Sequence, residues 1–259
     1  MLEATAGADE VRVSILTYHS IDDSGSVISV PPATFRRQMT ALARRGYSGV
    51  TLSHLLDVWD GKADATNRVV AVTFDDGFAN LSDHALPVLA ELGFGATIFA
   101  VQAYAGRHND WPSQPPGVPR LPLLTAARLR DCVAAGMEVG HHTATHPPLD
   151  ALGPAEVRAE LVNAKHALED ALGGPVRTFA YPYGRLPDPA GEALVRDHFR
   201  AACGVRLRAA CPVDDRYRLP RVDMYYFRPP MVCEWYGTSR GQWYLRARGV
   251  GRTLRRFSR

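Results

Sequence analysis

Val69-Val70-Ala71-Val72-Thr73-Phe74-Asp75-Asp76-Gly77 is the stretch of this chain that decides its fold. Six apolar or β-branched residues form a run that is typical of a buried strand in a parallel sheet. The run ends in two adjacent carboxylates and a glycine. Because successive side chains of a strand point to opposite faces, Asp75 and Asp76 are expected to turn apart. One of them could bind a metal ion while the other acts as a base.

A histidine cluster follows a second short apolar run, in Val139-Gly140-His141-His142-Thr143-Ala144-Thr145-His146-Pro147. His142 and His146 are four residues apart, a spacing that places two side chains on one face of a helical turn. The same spacing serves two imidazoles that share one metal ion in zinc sites. A pair of surface histidines or a histidine cap would show the same pattern. Two histidines and one carboxylate together make a typical catalytic zinc site.

The two clusters resemble the first two motifs of the polysaccharide deacetylase family, which includes chitin, peptidoglycan and poly-N-acetylglucosamine deacetylases. The motif residues are Thr73-Phe74-Asp75-Asp76-Gly77 and His142-Thr143-Ala144-Thr145-His146, and a third motif is similar to Phe179-Ala180-Tyr181-Pro182-Tyr183-Gly184. The resemblance runs in order over about residues 12–225. It implies a distorted α/β barrel and metal-dependent removal of an N- or O-acetyl group.

The resemblance also implies roles for these residues. In the family pattern the first aspartate, here Asp75, is the general base. The second aspartate, Asp76, binds the metal together with His142 and His146. The third motif implies that the backbone N–H of Tyr183 stabilises the oxyanion. Zinc is the first choice for such a ligand set, although nickel, cobalt or iron could occupy it.

The chain departs from the common family pattern at two positions. Many members carry an arginine where this sequence has Ala180, and most carry a catalytic histidine in a Leu-x-His setting near the end of the domain. The corresponding region reads Leu219-Pro220-Arg221-Val222-Asp223, and no histidine follows His198. We expect His19 to be the acid instead, because Leu16-Thr17-Tyr18-His19-Ser20 resembles the N-terminal motif of the circularly permuted branch typified by poly-N-acetylglucosamine deacetylases. A histidine that caps a strand end would give the same sequence.

Strands and helices alternate along the chain, which favours a mainly parallel sheet that is closed or nearly closed. Strands are predicted over residues 11–19, 47–52, 68–74, 95–101, 137–140, 177–181 and 201–205, and helices over 32–45, 55–59, 81–92, 125–135, 154–172 and 189–199. Ser53 is expected to cap the second helix and Pro87 to bend the third. The candidate site residues all lie at or just after the carboxyl ends of predicted strands, so they should meet at the face where α/β barrels build active sites.

The length of 259 residues fits one catalytic domain, with a motif-bearing core over about residues 12–225 and an extension over 226–259. Residues 102–124 contain five prolines and no clear period, so they should form a loop above the same face. Tyr104 and Trp111 could stack there on a sugar ring, or the loop could be a cover with a structural tryptophan. The aromatic extension could complete the barrel, bind glycan or form an interface.

Composition and charge exclude several classes of protein. Hydrophobic residues make up 46% of the chain and charged residues 22%, an ordinary globular mixture, and a net charge of +3 is too small to indicate nucleic-acid binding. Residues 245–259 hold six arginines and no acid. This basic tail could make a weak contact with an anionic membrane surface or an acidic partner, or could be a solvated helix or tail. With neither a signal peptide nor a membrane span visible, we expect a cytoplasmic protein.

The function predicted from these observations is metal-dependent hydrolysis of an N-acetyl or O-acetyl group on an amino sugar or polysaccharide. Two alternatives remain. One is a cytoplasmic deacylase of a small acylated amino sugar or secondary metabolite, which the lack of a visible signal peptide favours over an enzyme of wall polymers. The other is a catalytically inactive member of the fold that binds glycan.

Overall fold

The strands form a closed parallel barrel in residues 14–64 and 68–257, the part of the chain that the computed structural model describes. The strands are β1 (Ser14–Tyr18), β2 (Ser20–Ile21), β3 (Ser29–Val30), β4 (Tyr47–Val50), β5 (Arg68–Phe74), β6 (Thr97–Ala100), β7 (Glu138–His141), β8 (Thr178–Ala180), β9 (Ala201–Leu207) and β10 (Leu219–Asp223). Seven of them close the barrel in the order β1-β10-β9-β8-β7-β6-β5, because β5 also pairs with β1. The predicted distorted (β/α) barrel is confirmed.

The acidic strand β5 closes the barrel. On one edge, residues Val70–Phe74 of β5 pair with Ser14–Tyr18 of β1. On the other edge, β5 pairs with β4 near the start of β5 and with β6 at Thr73 and Phe74. Every residue of β5 after Arg68 is buried. A strand that is covered on both faces and paired on both edges has no solvent-facing positions, which explains its continuous apolar run.

The helices lie between the strands in the order that the sequence predicts. They are α1 (Pro32–Arg44), α2 (Leu52–Trp59), α3 (Leu81–His84), α4 (Leu86–Leu92), α5 (Ala126–Ala134), α6 (Pro154–Arg158), α7 (Ala164–Leu172), α8 (Pro189–His198) and α9 (Ser239–Phe257). A π-helical turn over Ala159–Asn163 joins α6 to α7, so the long helix predicted there contains one wide turn. As predicted, the Thr125 side chain caps α5 by accepting a hydrogen bond from the backbone N–H of Arg128.

Two details of the helices differ from the prediction. The cap of α2 is Thr51, whose hydroxyl accepts from the N–H of His54. Ser53 is instead inside the helix, where its N–H and hydroxyl donate to the carboxylate of Glu138. Pro87 does more than bend its helix: the helix breaks at Ala85, because a proline inside a helix lacks an N–H and its ring crowds the preceding turn.

The strand β10 was not predicted. Its sequence holds a proline and an arginine between apolar residues, which weakens the pattern of a buried strand. The structure places it between β1 and β9, and its register with β9 shifts between Leu219 and Arg221. Without β10 the barrel would have a gap between β1 and β9.

The extension packs against the barrel from outside the sheet. Phe227 and Tyr236 are buried in the main core, and Tyr244 and Leu245 of α9 pack against it. Residues 1–13, 65–67 and 258–259, which include the start of the first predicted strand and the end of the basic tail, lie outside the described residues. Within the described residues, no helix combines the length and apolar character needed to span a membrane.

Candidate active site

The carboxyl ends of the barrel strands surround one cavity of about 220 Å³. Since these strands are parallel, their carboxyl ends meet at one face of the barrel, where α/β barrels place their sites. The structure brings all six predicted site residues into the lining of this cavity: His19, Asp75, Asp76, His142, His146 and Tyr183.

Three buried side chains converge on one point of the cavity floor. Oδ1 of Asp76 lies 3.5 Å from Nε2 of His142 and 3.3 Å from Nε2 of His146. One ligand atom from each of the three residues lies within 4.8 Å of the others. Asp76 has a left-handed backbone, with φ of 69°, immediately after β5. That conformation is uncommon outside glycine, asparagine and aspartate.

The other nitrogen of each histidine ring is already engaged. Nδ1 of His142 donates to the carbonyl of Ala180 at 2.7 Å, which leaves Nε2 as the free nitrogen. The hydroxyl of Tyr183 donates to the carbonyl of Ser113 at 2.8 Å, so it can accept from Nδ1 of His146, which lies 3.1 Å away. Partners of this kind fix the tautomer and orientation of metal-binding histidines.

The donor set fits a divalent metal ion. Oδ1 of Asp76 is buried and has no hydrogen-bond partner among the described residues, although buried carboxylate oxygens normally have one. Burial raises the pKa of Asp76, but the neighbouring His142 and His146 lower it more strongly, so the carboxyl is ionised. An anionic oxygen that faces two imidazole nitrogens matches the two-histidine, one-carboxylate pattern of catalytic zinc sites.

The histidine loop, residues 142–146, is not the helical turn that the spacing of its histidines predicted. Thr143 and His146 have left-handed backbones, with φ of 68° and 59°, and such residues cannot belong to a right-handed helix. The hydroxyl of Thr143 accepts from the N–H of His146 at 2.9 Å. The folded loop brings the two imidazole centroids to 4.8 Å without any helical periodicity.

Asp75 points to a different partner, which the sequence did not reveal. Its two carboxylate oxygens accept from the two terminal nitrogens of Arg221, both at 2.7 Å, and both side chains are almost fully buried. Arg221 is in β10, and its Nε donates to the carbonyl of Gly204 at 3.0 Å. Burial alone would raise the pKa of Asp75, but Arg221 and His142 hold it below its ordinary value.

Arg221 was not predicted as a residue of the site. The available signal was a single arginine within the apolar segment Leu219–Asp223, which sequence reasoning treated only as a region without a histidine. An isolated charge in a buried strand is rare unless it is paired, so this position pointed to an internal ion pair.

His19 lies beside Asp75 at the end of β1. Its Nε2 is 3.8 Å from Oδ2 of Asp75, and its side chain is 29% exposed. The side chain of His19 is therefore accessible to solvent, whereas that of Asp75 is nearly buried. A group that faces both the buried base and the open cavity can exchange a proton with a bound substrate.

The two aromatic residues predicted to stack on a sugar belong largely to the core. Trp111 is 2% exposed and stacks on the ring of His146, with centroids 4.4 Å apart. Tyr104 is buried beside Trp111, with centroids 5.5 Å apart, and is not part of the cavity lining. Trp111 of the loop over residues 102–124 therefore packs on His146, and Tyr104 is not available to a sugar.

Comparisons with known proteins identify relatives of this chain. The model of the polysaccharide deacetylase family matches residues 62–202, more than half of the chain. YxkH of Bacillus subtilis strain 168, a predicted polysaccharide deacetylase, is 26% identical over 211 residues, which cover 82% of this chain and 71% of YxkH. The poly-beta-1,6-N-acetyl-D-glucosamine N-deacetylase of Staphylococcus epidermidis is 24% identical over 203 residues, 75% of this chain and 67% of that enzyme.

The solved structure of the Streptococcus pyogenes deacetylase PplD in complex with acetate shares the fold of this chain. The two structures agree with a TM-score of 0.72 at 22% identity, over 86% of this chain and 95% of PplD. At that identity the agreement establishes a common fold, a closed (β/α) barrel.

Proposed function

The chain belongs to the polysaccharide deacetylase family, and from this premise we propose that it is a metal-dependent hydrolase of N-acetyl groups on amino sugars or their polymers. The observation that carries the proposal is Oδ1 of Asp76, which is buried, ionised and without a hydrogen-bond partner in the described residues, and which faces two imidazole nitrogens. A protein that only binds glycan has no need of a carboxylate and two histidines arranged in this way beside a second carboxylate that is paired with an arginine.

Asp76, His142 and His146 would hold the metal ion, with zinc as first choice and nickel, cobalt or iron as competitors. When bound, a divalent ion in such a site lowers the pKa of a water molecule and polarises the acyl carbonyl. With three protein ligands the site would match catalytic zinc sites, which keep a further position for water or substrate.

Asp75 is the proposed general base. Its carboxylate lines the cavity and is ionised, because the ion pair with Arg221 favours the charged form. The same pair fixes both oxygens, so the base cannot rotate away from the attacking water. Asp75 then takes the proton from water as the new carbon–oxygen bond forms.

His19 is the proposed general acid. It faces the cavity next to Asp75, and its protonated ring can give a proton to the amine nitrogen as the carbon–nitrogen bond breaks. The backbone N–H of Tyr183 is proposed as a donor to the developing oxyanion. Tyr183 has a left-handed backbone, with φ of 57°, and strained residues of this kind are concentrated at functional sites.

The substrate proposal follows the relatives. One relative carries the name of a poly-beta-1,6-N-acetyl-D-glucosamine N-deacetylase, and another, from Sinorhizobium fredii, that of a chitooligosaccharide deacetylase. Both names describe N-acetylated glucosamine units. We therefore infer that acetamido sugars are the substrates of this chain, as monomers or as polymers.

Zinc binding and acetate release test the proposal together. Zinc-loaded protein should hold one equivalent of metal and should release acetate from at least one member of a panel of N-acetylglucosamine, chitooligosaccharides and β-1,6-linked oligomers. Asp76→Ala and His142→Ala should each lose the metal and the activity, since each removes one of three protein ligands. His54→Ala, which changes an exposed histidine in α2, is the control. Full metal occupancy in both site variants would refute the ligand assignment.

A further inference from the structure

Glu160 is a nearly buried acid that the proposed reaction does not use. It lies in the π-helical turn between α6 and α7, and it is 9% exposed. Its side chain reaches the histidine loop, residues 142–146, from a distant part of the sequence. A buried carboxylate needs partners to compensate for the loss of water, and those partners show what it holds in place.

The carboxylate of Glu160 accepts three hydrogen bonds from two consecutive residues of the histidine loop. Oε2 accepts from the backbone N–H of Ala144 at 2.8 Å and of Thr145 at 2.9 Å. Oε1 accepts from the hydroxyl of Thr145 at 2.6 Å. Both oxygens are therefore occupied by donors that lie between His142 and His146 in the sequence.

The histidine loop needs this support because its backbone is strained. Thr143 and His146 have left-handed φ values of 68° and 59°, and such conformations are unfavourable in residues other than glycine. Ala144 and Thr145 lie outside the helices and strands, so the backbone ladder of a regular element supplies no partner for their N–H groups. The carboxylate of Glu160 accepts from both of these N–H groups.

The backbone of Glu160 makes a second attachment. Nε2 of His141, the last residue of β7, donates to the carbonyl of Glu160 at 2.9 Å. One residue of the π turn thus holds both the end of the strand and the loop that follows it. Single π turns inside α-helices occur frequently at functional sites.

We propose that Glu160 is a positioning residue for the metal centre: it fixes the backbone between His142 and His146 so that both Nε2 atoms face Asp76. The inference rests on the proposed metal site and extends it to a residue that lines no part of the cavity. Partners of metal ligands tune affinity by orienting those ligands, and their loss typically weakens metal binding about 10- to 100-fold.

The test compares Glu160→Gln with Glu169→Gln. The first variant keeps the shape of the side chain but removes its negative charge and replaces one acceptor oxygen with an NH₂ group, which cannot accept a hydrogen bond. The second changes a glutamate of α7 that accepts from Nζ of Lys165 at 2.6 Å and from the N–H of Val176 at 2.9 Å, away from the histidine loop. Both variants lose hydrogen bonds from the same helical segment, so a general effect on stability is matched between them.

The measurements are the affinity of the metal-free protein for Zn²⁺, by competition with a chromophoric chelator, and the visible spectrum of the Co²⁺-loaded protein. Glu160→Gln should weaken Zn²⁺ binding by about tenfold or more and should change the Co²⁺ bands, because the ligand geometry relaxes. Glu169→Gln should bind both ions as the wild type does. Both metal-free variants should melt at similar temperatures.

Three results would overturn the inference. The first is Zn²⁺ affinity in Glu160→Gln within about twofold of the wild type, together with an unchanged Co²⁺ spectrum. The second, if Glu160→Gln does not fold, is wild-type Zn²⁺ affinity in Thr145→Val, which removes only the hydroxyl contact to Glu160. The third is wild-type protein that binds no Zn²⁺, which would remove the proposed metal centre itself. If the wild-type protein binds Zn²⁺ but its affinity does not depend on Glu160, the positioning role is refuted and the proposed function is unaffected.

Discussion

The ion pair between Asp75 and Arg221 decides the charge of the proposed base. Two fully buried charges lose much of their hydration, and bidentate geometry is what makes such a pair stable. If one partner is removed, the other remains buried and uncompensated. The pair keeps the carboxylate of Asp75 ionised in a place where burial favours the neutral acid, as the proposed base requires.

Arg221→Met should shift the pH dependence of the reaction. The arginine holds the pKa of Asp75 below its ordinary value, and without it burial dominates and the pKa rises. Because the base must be ionised, the acidic limb of the plot of kcat/KM against pH should move to higher pH. The variant should also lose about 3–5 kcal/mol of unfolding free energy in urea, as broken buried pairs do.

Arg216→Met is the matched control for that prediction, since Arg216 pairs with Asp60 in a more exposed position. It should leave the acidic limb where the wild type has it. An Arg221→Met protein whose acidic limb coincides with that of the wild type would show that Asp75 does not set this limb.

His19→Ala should separate substrates by their leaving groups. An amine must be protonated as it departs, whereas the phenolate of an activated aryl acetate leaves without help. Acetamide hydrolysis should therefore fall about 100-fold or more, while aryl acetate hydrolysis changes little and the metal content stays at one equivalent. Equal losses on both substrates would remove His19 from the role of acid, and loss of the metal would make it a ligand.

At the scale of elements, the sequence predicted the strands and helices whose pattern is local. The run of β5 and the capped helix α5 were predicted at or close to their observed bounds, because hydrophobic period and cap chemistry are properties of adjacent residues. The histidine loop was predicted with the wrong geometry, since left-handed residues such as Thr143 carry no signal in the spacing of their neighbours. The partner of Asp75 comes from β10, and no local pattern shows such a distant pairing.

Gly140→Ala tests how tightly β7 is packed beside the site. A Cβ atom at this position would lie 2.5 Å from the ring of Phe99 and 2.9 Å from Oγ1 of Thr178. Because a closely packed barrel cannot absorb such contacts, urea unfolding should show a loss of about 1–3 kcal/mol. Zinc affinity should fall as well, since His142 follows this strand by one residue.

Gly174→Ala is the control, because a Cβ atom there would have nothing within 4 Å. It should unfold at nearly the same urea concentration as the wild type. If Gly140→Ala were equally stable, β6, β7 and β8 would be less tightly packed than the structure indicates.

At the scale of the molecule, the site exists only because the barrel closes. His19 comes from one end of the described chain and Arg221 from the other, and the pairings of β1 with β5 and β10 bring both to Asp75. The alternation of elements and the family resemblance predicted that strand ends would converge. They did not predict which side chains would meet, because contacts of this kind depend on strand order and register.

The extension also supports one loop in the wall of the cavity. Arg228 donates to the carbonyls of Gly25 and Ser26, both at 3.1 Å, in the loop that brings Val27 and Ile28 to the cavity. The extension is therefore attached to the core through a cavity loop as well as through its aromatic side chains. The division of the chain at residue 226 and the membrane or acidic partner of the basic tail stay predictions.

Acetate release by zinc-loaded Asp75→Asn, with the zinc content measured on the same sample, tests whether metal binding and proton acceptance belong to different aspartates. The variant keeps Asp76, His142 and His146, so it should hold one zinc ion per chain. It should hydrolyse acetamido sugars about 100-fold more slowly than the wild type, because an amide cannot accept the proton of the attacking water. Wild-type turnover at full zinc occupancy, or loss of the zinc, would contradict this division of roles.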